Sequence, residues 1–181
     1  MNALYYIVDT LTSLYLGVLI LRLIMQMVRA NFRNPFAEAI LKLTNPLIMP
    51  LRRILPPMGK IDTATVLAII LFAVFKVAVL MLLMAGSVLF APVALVLIVL
   101  RTLVLAVLWL YVILIFFYGI AGFLMQGGSS PIYEVLAYVC DPLLNRIRKI
   151  IPSIVAGLDL SFLWAIIALQ ALIILIGEIR L

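Results

Sequence analysis

The side chains best placed to do chemistry in this chain are cations, and they come in two matching groups. Arg52 and Arg53 lie between Pro46 and Pro56, while Arg146, Arg148 and Lys149 lie between Pro142 and Pro152. Guanidinium and ammonium groups gathered on a short segment bind anions, and phosphate headgroups are the anions met at a membrane. A second candidate is a pair of opposite charges set in apolar stretches, Asp9 and Lys76. An intramembrane lysine turns toward the bundle interior or water and takes a partner, and Asp9 is the candidate for it. The alternatives are an aspartate in the interface and a lysine that snorkels to the headgroups.

Acid–base and metal chemistry are expected to be absent. The chain has no histidine, the commonest metal ligand and general base. Its one cysteine, Cys140, can form no internal disulfide. The carboxylates have structural explanations. Glu38 and Glu134 sit in first helical turns, where the dipole favours them, and Asp62, Asp141 and Asp159 stand at helix starts. No catalytic residue, no metal and no cofactor are therefore expected, and the chain reads as a non-enzyme.

The two cation groups belong to one stretch that occurs twice. Residues 34–62 read NPFAEAILKLTNPLIMPLRRILPPMGKID, and residues 130–159 read SPIYEVLAYVCDPLLNRIRKIIPSIVAGLD. Pro35, Glu38, Pro46, Arg52 and Pro56 fall on Pro131, Glu134, Pro142, Arg148 and Pro152, each 96 positions on, and Asp62 matches Asp159 after one inserted residue. Such a register predicts a tandem duplication. Each copy is expected to be a helical hairpin, 34–57 and 130–153. Asn34 or Ser130 starts its first helix, and Asn45-Pro46 or Asp141-Pro142 turns the chain into the second, because a residue before proline is pushed out of the helical region. Leu47, Ile48, Leu51, Ile54 and Leu55 share one face of that second helix, as do Leu143, Leu144, Ile147, Ile150 and Ile151, with the cations off it. Such a helix is expected on the membrane surface with its apolar face in the lipid. The alternative is packing on a partner or on the protein's own soluble core.

The rest of the chain is membrane-like. It has 181 residues, is 68% hydrophobic, has a mean hydropathy of +1.37, and carries only 11% charged residues. A soluble domain has about 25%. Little length remains for a soluble catalytic module. No cleavable-signal pattern precedes Arg22, so the first apolar run is expected to be retained. Four spans are expected at about 4–28, 64–83, 102–125 and 160–177, giving an all-α membrane protein built as a parallel repeat. The repeats would cover 1–86 and 102–181, and the short apolar piece within 87–101 would be an interfacial or re-entrant connector. Four spans put both basic stretches on one side. The positive-inside rule makes that side cytoplasmic and both termini external. The net charge of +6 then points to anionic lipid and not directly to nucleic acid.

The run TNPLIMPLRRILPPMGKID in a four-span chain resembles the YggT family, also called YlmG, which are small membrane proteins of bacteria and plastids. The resemblance covers nearly the whole chain and includes the duplicated unit of longer bacterial members. The matched positions are Pro46, Arg52, Arg53, Pro56, Gly59 and Asp62, with Pro142, Arg148, Lys149, Pro152 and Asp159. The second copy departs in having Arg146 where the first has Pro50, and one more residue in its turn. The resemblance implies a link to cell division, envelope organisation and osmotic tolerance, or, from plastid relatives, to nucleoid distribution and maturation of a cytochrome b-type complex. It implies no catalytic residue. The leading expectation is a membrane organiser whose basic stretches, through Arg52, Arg53, Arg146, Arg148 and Lys149, bind anionic lipid and support a homo-oligomer or a membrane-protein partner. The alternatives are an assembly factor for a membrane complex and an oligomeric channel or transporter.

Overall fold

The computed structural model describes residues 3–55, 62–85, 92–125, 130–150, 154–155 and 158–178. Six helices follow in order: α1 (Ala3–Met27), α2 (Pro35–Arg52), α3 (Thr63–Ala85), α4 (Pro92–Met125), α5 (Pro131–Ile150) and α6 (Ser161–Glu178). Between α5 and α6 a small antiparallel ribbon pairs Ile154 with Asp159 and Val155 with Leu158. Among the described residues four helices, α1, α3, α4 and α6, are long and apolar enough to cross a bilayer. The protein is an integral membrane protein.

The spans pack as two antiparallel pairs, α1 with α3 and α4 with α6, joined where α4 meets α1 and α3. Ala64, Ala68 and Ala73 have no exposed surface on α3 and let its neighbours approach closely. Large side chains face outward on every span, Ile7, Phe75, Phe116, Phe117 and Ile167 among them. On a soluble protein that surface would demand a partner, and on spanning helices lipid covers it.

α1 ends in a tight carbonyl-capping turn. Arg29 takes a left-handed φ of 53°. Its N–H bonds to the Gln26 carbonyl at 3.2 Å, and the Ala30 N–H bonds to Met25 at 2.9 Å. This is the paired-bond stop that glycine usually supplies.

The expected hairpins are not formed. α2 runs unbroken through Pro46 and Pro50, and α5 through Pro142. Proline biases the preceding residue away from helix without forbidding it, and it frees one carbonyl a turn earlier. All three prolines lie on exposed stripes, so the freed carbonyls face solvent or headgroups. The opposite stripe of α2, with Ala37, Ile40, Thr44 and Ile48, is buried and holds the helix together through the proline.

The apolar faces are not laid in lipid either. Ile48 is fully buried among Leu16, Leu19, Ile20 and Ala68 of α1 and α3. Leu144 is fully buried with Val112, Ile115 and Ala165 of α4 and α6. Leu47, Leu51, Leu143 and Ile147 pack at the edges of the same cores, and Ile54 stays exposed. Neither expected placement holds: these faces pack on the protein's own membrane spans.

The described part of the expected connector is also helical. Residues 92–100 belong to the same helix as 102–125. Pro92 opens that helix, and no glycine or proline interrupts it before Gly119. Arg101, which looked like a boundary, lies inside it and donates from Nη2 to the Gly177 carbonyl at 2.6 Å, capping the last turn of α6. At about 1.5 Å per residue the 34 residues of α4 span about 51 Å, against a hydrocarbon core of about 30 Å. α4 therefore tilts or projects beyond the bilayer.

Candidate functional site at the basic end of the bundle

α2 and α5 lie at the same end of the bundle and touch at their starts. The Asn34 side chain accepts from the Phe36 N–H at 3.0 Å, capping α2, and donates from Nδ2 to the Pro131 carbonyl at 2.6 Å. Ser130 caps α5 by accepting from the Tyr133 N–H at 3.1 Å. Pro35 and Pro131 are thus first-turn prolines, with Glu38 and Glu134 behind them.

In the first half a polar network ties α2 to α1 and α3. The Arg22 guanidinium is only 1% exposed, although it belongs to a span. Its Nη1 donates to Thr44 Oγ1 at 2.6 Å and to Asn45 Oδ1 at 2.9 Å. Thr44 passes its own proton to the Ile40 carbonyl at 2.7 Å. Two residues past Pro50, Arg52 donates to Asp62 Oδ2 from Nε at 3.1 Å and from Nη2 at 2.5 Å. Thr65 Oγ1 joins the same oxygen at 2.8 Å, and Gln26 approaches it at 3.5 Å. Burial pushes the Asp62 carboxyl up, but its bonds from Arg52, Thr65 and Gln26 outweigh that and hold it below the ordinary carboxylate value.

The second half repeats the first link with other residues. The Tyr118 hydroxyl donates to Asp141 Oδ1 at 2.9 Å. Tyr118 stands 96 positions after Arg22 and Asp141 stands 96 after Asn45. A span side chain therefore holds the residue before the internal proline in both halves. Tyr133 stacks on Tyr118 with ring centroids 5.3 Å apart. Arg148 donates to Asn145 Oδ1 at 2.8 Å and lies 3.9 Å from Asp141. Cys140, at the place of Thr44, has no exposed surface. Burial first, then the neighbouring Asp141, pushes its thiol up to about 12. Between α4, α5 and α6 a cavity of about 520 Å³ opens, lined by Tyr118, Gly122, Tyr133, Arg148 and Phe162 among others.

Farther along the spans, Lys76 Nζ lies 3.0 Å from Asp9 Oδ1 and donates to Ser13 Oγ at 2.5 Å. Lys76 is 9% exposed.

The cations singled out in the sequence fall into two classes. Arg52 and Arg148 face acidic partners within the protein, whereas Arg53, Arg146 and Lys149 are exposed. Pro46 and Pro142 are internal to their helices. Asp62 receives Arg52, and Asp159 lies in the ribbon. Pro56, Gly59 and Pro152 lie outside the described residues. Arg22, Thr44, Asn45, Arg101 and Tyr118 were missed as contact makers. The signal available for Arg22 and Tyr118 was their common distance of 23 residues from the residue before the internal proline.

Known proteins match the chain over nearly its full length. The chain is 42% identical over 180 residues to an uncharacterized protein in the proC 3′ region of Vibrio alginolyticus, covering 99% of this chain and 96% of that one. It is 35% identical over 182 residues to the uncharacterized protein YggT of Escherichia coli strain K12, covering 99% and 92%. No solved structure matches. The sequence model of the CCB3/YggT family matches residues 1–83 and 90–179. With nearly every described helix inside those two segments and full-length relatives above, the chain belongs to the CCB3/YggT family of membrane proteins.

Proposed function

We propose that this protein is a non-enzymatic membrane organiser. Its α2 and α5 form a rigid basic platform that gathers anionic lipid at one face of the membrane. The observation carrying this reading is the contrast between anchored and exposed cations. Arg22 and Arg52 fix α2 to the spans, and Tyr118 fixes α5, while Arg53, Arg146 and Lys149 stay exposed on those anchored elements. Each cation near an anionic surface contributes about 1 kcal/mol and is screened by salt. A platform that does not itself penetrate the lipid orders headgroups and offers a surface for a second copy or a client membrane protein.

The positive-inside rule places this platform in the cytoplasm with both termini outside. The two matched family segments, the contact of α2 with α5 and the shared spacing of Arg22–Asn45 and Tyr118–Asp141 support a tandem parallel repeat.

The test is the lipid composition around the full chain. Native mass spectrometry after gentle extraction should show anionic phospholipid enriched over its share of the membrane. The triple variant Arg53→Gln, Arg146→Gln and Lys149→Gln should lose that enrichment. An unchanged ratio of anionic to zwitterionic lipid in the variant would overturn the platform reading.

A further inference from the structure

One difference between the two halves of the bundle is a cavity in the second. In the first half Leu23 and Gln26 on α1 fill the space toward α2 and α3, and Gln26 reaches Asp62. At the same register on α4 stand Gly119 and Gly122. Phe162 of α6 takes up only the space at Gly119, where an added Cβ would come within 2.6 Å of its ring. At Gly122 a Cβ would meet nothing nearer than the Tyr133 hydroxyl at 3.9 Å. The open volume of about 520 Å³ lies there, within the range of pockets that hold small ligands.

Its walls have two characters. On the lipid side stand Ile120, Phe123 and Leu124, exposed by 38%, 64% and 72% at the level where α4 ends. On the inner side stand Tyr118, Tyr133, Arg148 and Ser161 at the first turn of α6. Arg148 brings a planar donor fork suited to phosphate, and Tyr133, stacked on Tyr118, belongs to the same wall. Arg148 also donates to Asn145 Oδ1 and lies 3.9 Å from the Asp141 carboxylate that accepts from Tyr118, and Arg146 and Lys149 on the same helix add positive charge. An occupant must therefore present an anion inward and an apolar chain outward.

We propose that this cavity is a specific site for one anionic phospholipid, with its phosphate at Arg148 and Tyr133 and an acyl chain along Ile120, Phe123 and Leu124. The proposal deepens the lipid reading above, adding to a diffuse platform one built site in the second half. At the corresponding place among the described residues of the first half stand Gln26 and the Arg52–Asp62 pair.

The test uses the full chain in detergent micelles, titrated with phosphatidylglycerol and read by native mass spectrometry. One lipid per chain should stay bound in preference to phosphatidylcholine, by tenfold or more. Gly122→Gln, which restores the side chain of the first half, should weaken that lipid at least tenfold, and Arg148→Gln should do the same without filling the cavity. Gly122→Ala, for which there is room, should retain it. The surface variant Arg53→Gln with Arg146→Gln and Lys149→Gln should lose the diffuse lipids and keep the single one, so the platform and the site fail separately. Retention of the tight lipid in both Gly122→Gln and Arg148→Gln would overturn the proposal. So would equal retention of phosphatidylcholine, or displacement of the lipid by inorganic phosphate at comparable concentration, which would make the site one for a free anion. If Gly122→Gln does not fold, the Arg148→Gln result decides.

Discussion

Arg52 holds the Asp62 carboxylate through two nitrogens, at 3.1 Å and 2.5 Å, and so closes the turn between the amphipathic helix and the second span. Asp62 is 6% exposed and the Arg52 side chain 40%. Because the pair is half open to solvent, we expect Arg52→Gln to cost about 1–3 kcal/mol, less than the loss of a fully buried pair. Thermal unfolding in a fixed detergent reads this directly. Asp62→Asn should cost a similar amount, and the double variant less than the sum.

The same pair sets an acid limit. The folded Asp62 carboxyl lies below its ordinary value of 3.8, so folding favours the ionised form. Its contribution is complete above that value and is lost as pH falls through the folded one. Stability from this group should be flat between pH 6 and 8, taking about 4 as the ordinary carboxylate value. Below pH 4 the wild type should fall toward Asp62→Asn. Unfolding midpoints of both proteins across this range would show whether the curves converge on acidification.

Lys76 is paired with Asp9 within the spans at 3.0 Å. Asp9→Leu leaves an ammonium without its counter-ion, and because the Asp9 side chain is 40% exposed we expect a loss of about 1–3 kcal/mol, less than that of breaking a fully buried pair. Combining it with Lys76→Leu should recover much of that loss. A double variant no better than Asp9→Leu would show that Lys76 reaches headgroups instead.

Cys140 should be inert while the protein is folded. It has no exposed surface, and its thiol is raised to about 12. A thiolate-seeking maleimide at pH 8 should leave it unlabelled in micelles and label it after denaturation.

Arg29 occupies a left-handed position that most side chains avoid. Arg29→Gly removes that strain and should raise stability by up to about 1 kcal/mol, offset in part by the freer unfolded chain. Differential unfolding of the two proteins measures the balance.

Hydropathy made the spans legible, because an element that meets lipid on most sides must be apolar nearly throughout, and that property is local. Proline signals misled for the opposite reason. Asn45-Pro46 and Asp141-Pro142 are turn sequences in isolation, yet both sit inside helices because Arg22 and Tyr118 hold their side chains and the far face is buried. Arg101 looked like the end of an element for the same reason, since its partner, the Gly177 carbonyl, is 76 residues away. The stop at Arg29 carries no glycine to announce it.

Composition alone determined that this protein lives in a membrane, and the register of its prolines and cations determined that two matching basic stretches lie between its spans. Those are properties of residue type and local spacing. Tertiary structure decided which cations remain exposed, where the apolar faces of α2 and α5 are buried, and that a cavity opens beside Gly122 in the second half. Each depends on what a distant helix places opposite, and packing and paired charge act through that opposite surface.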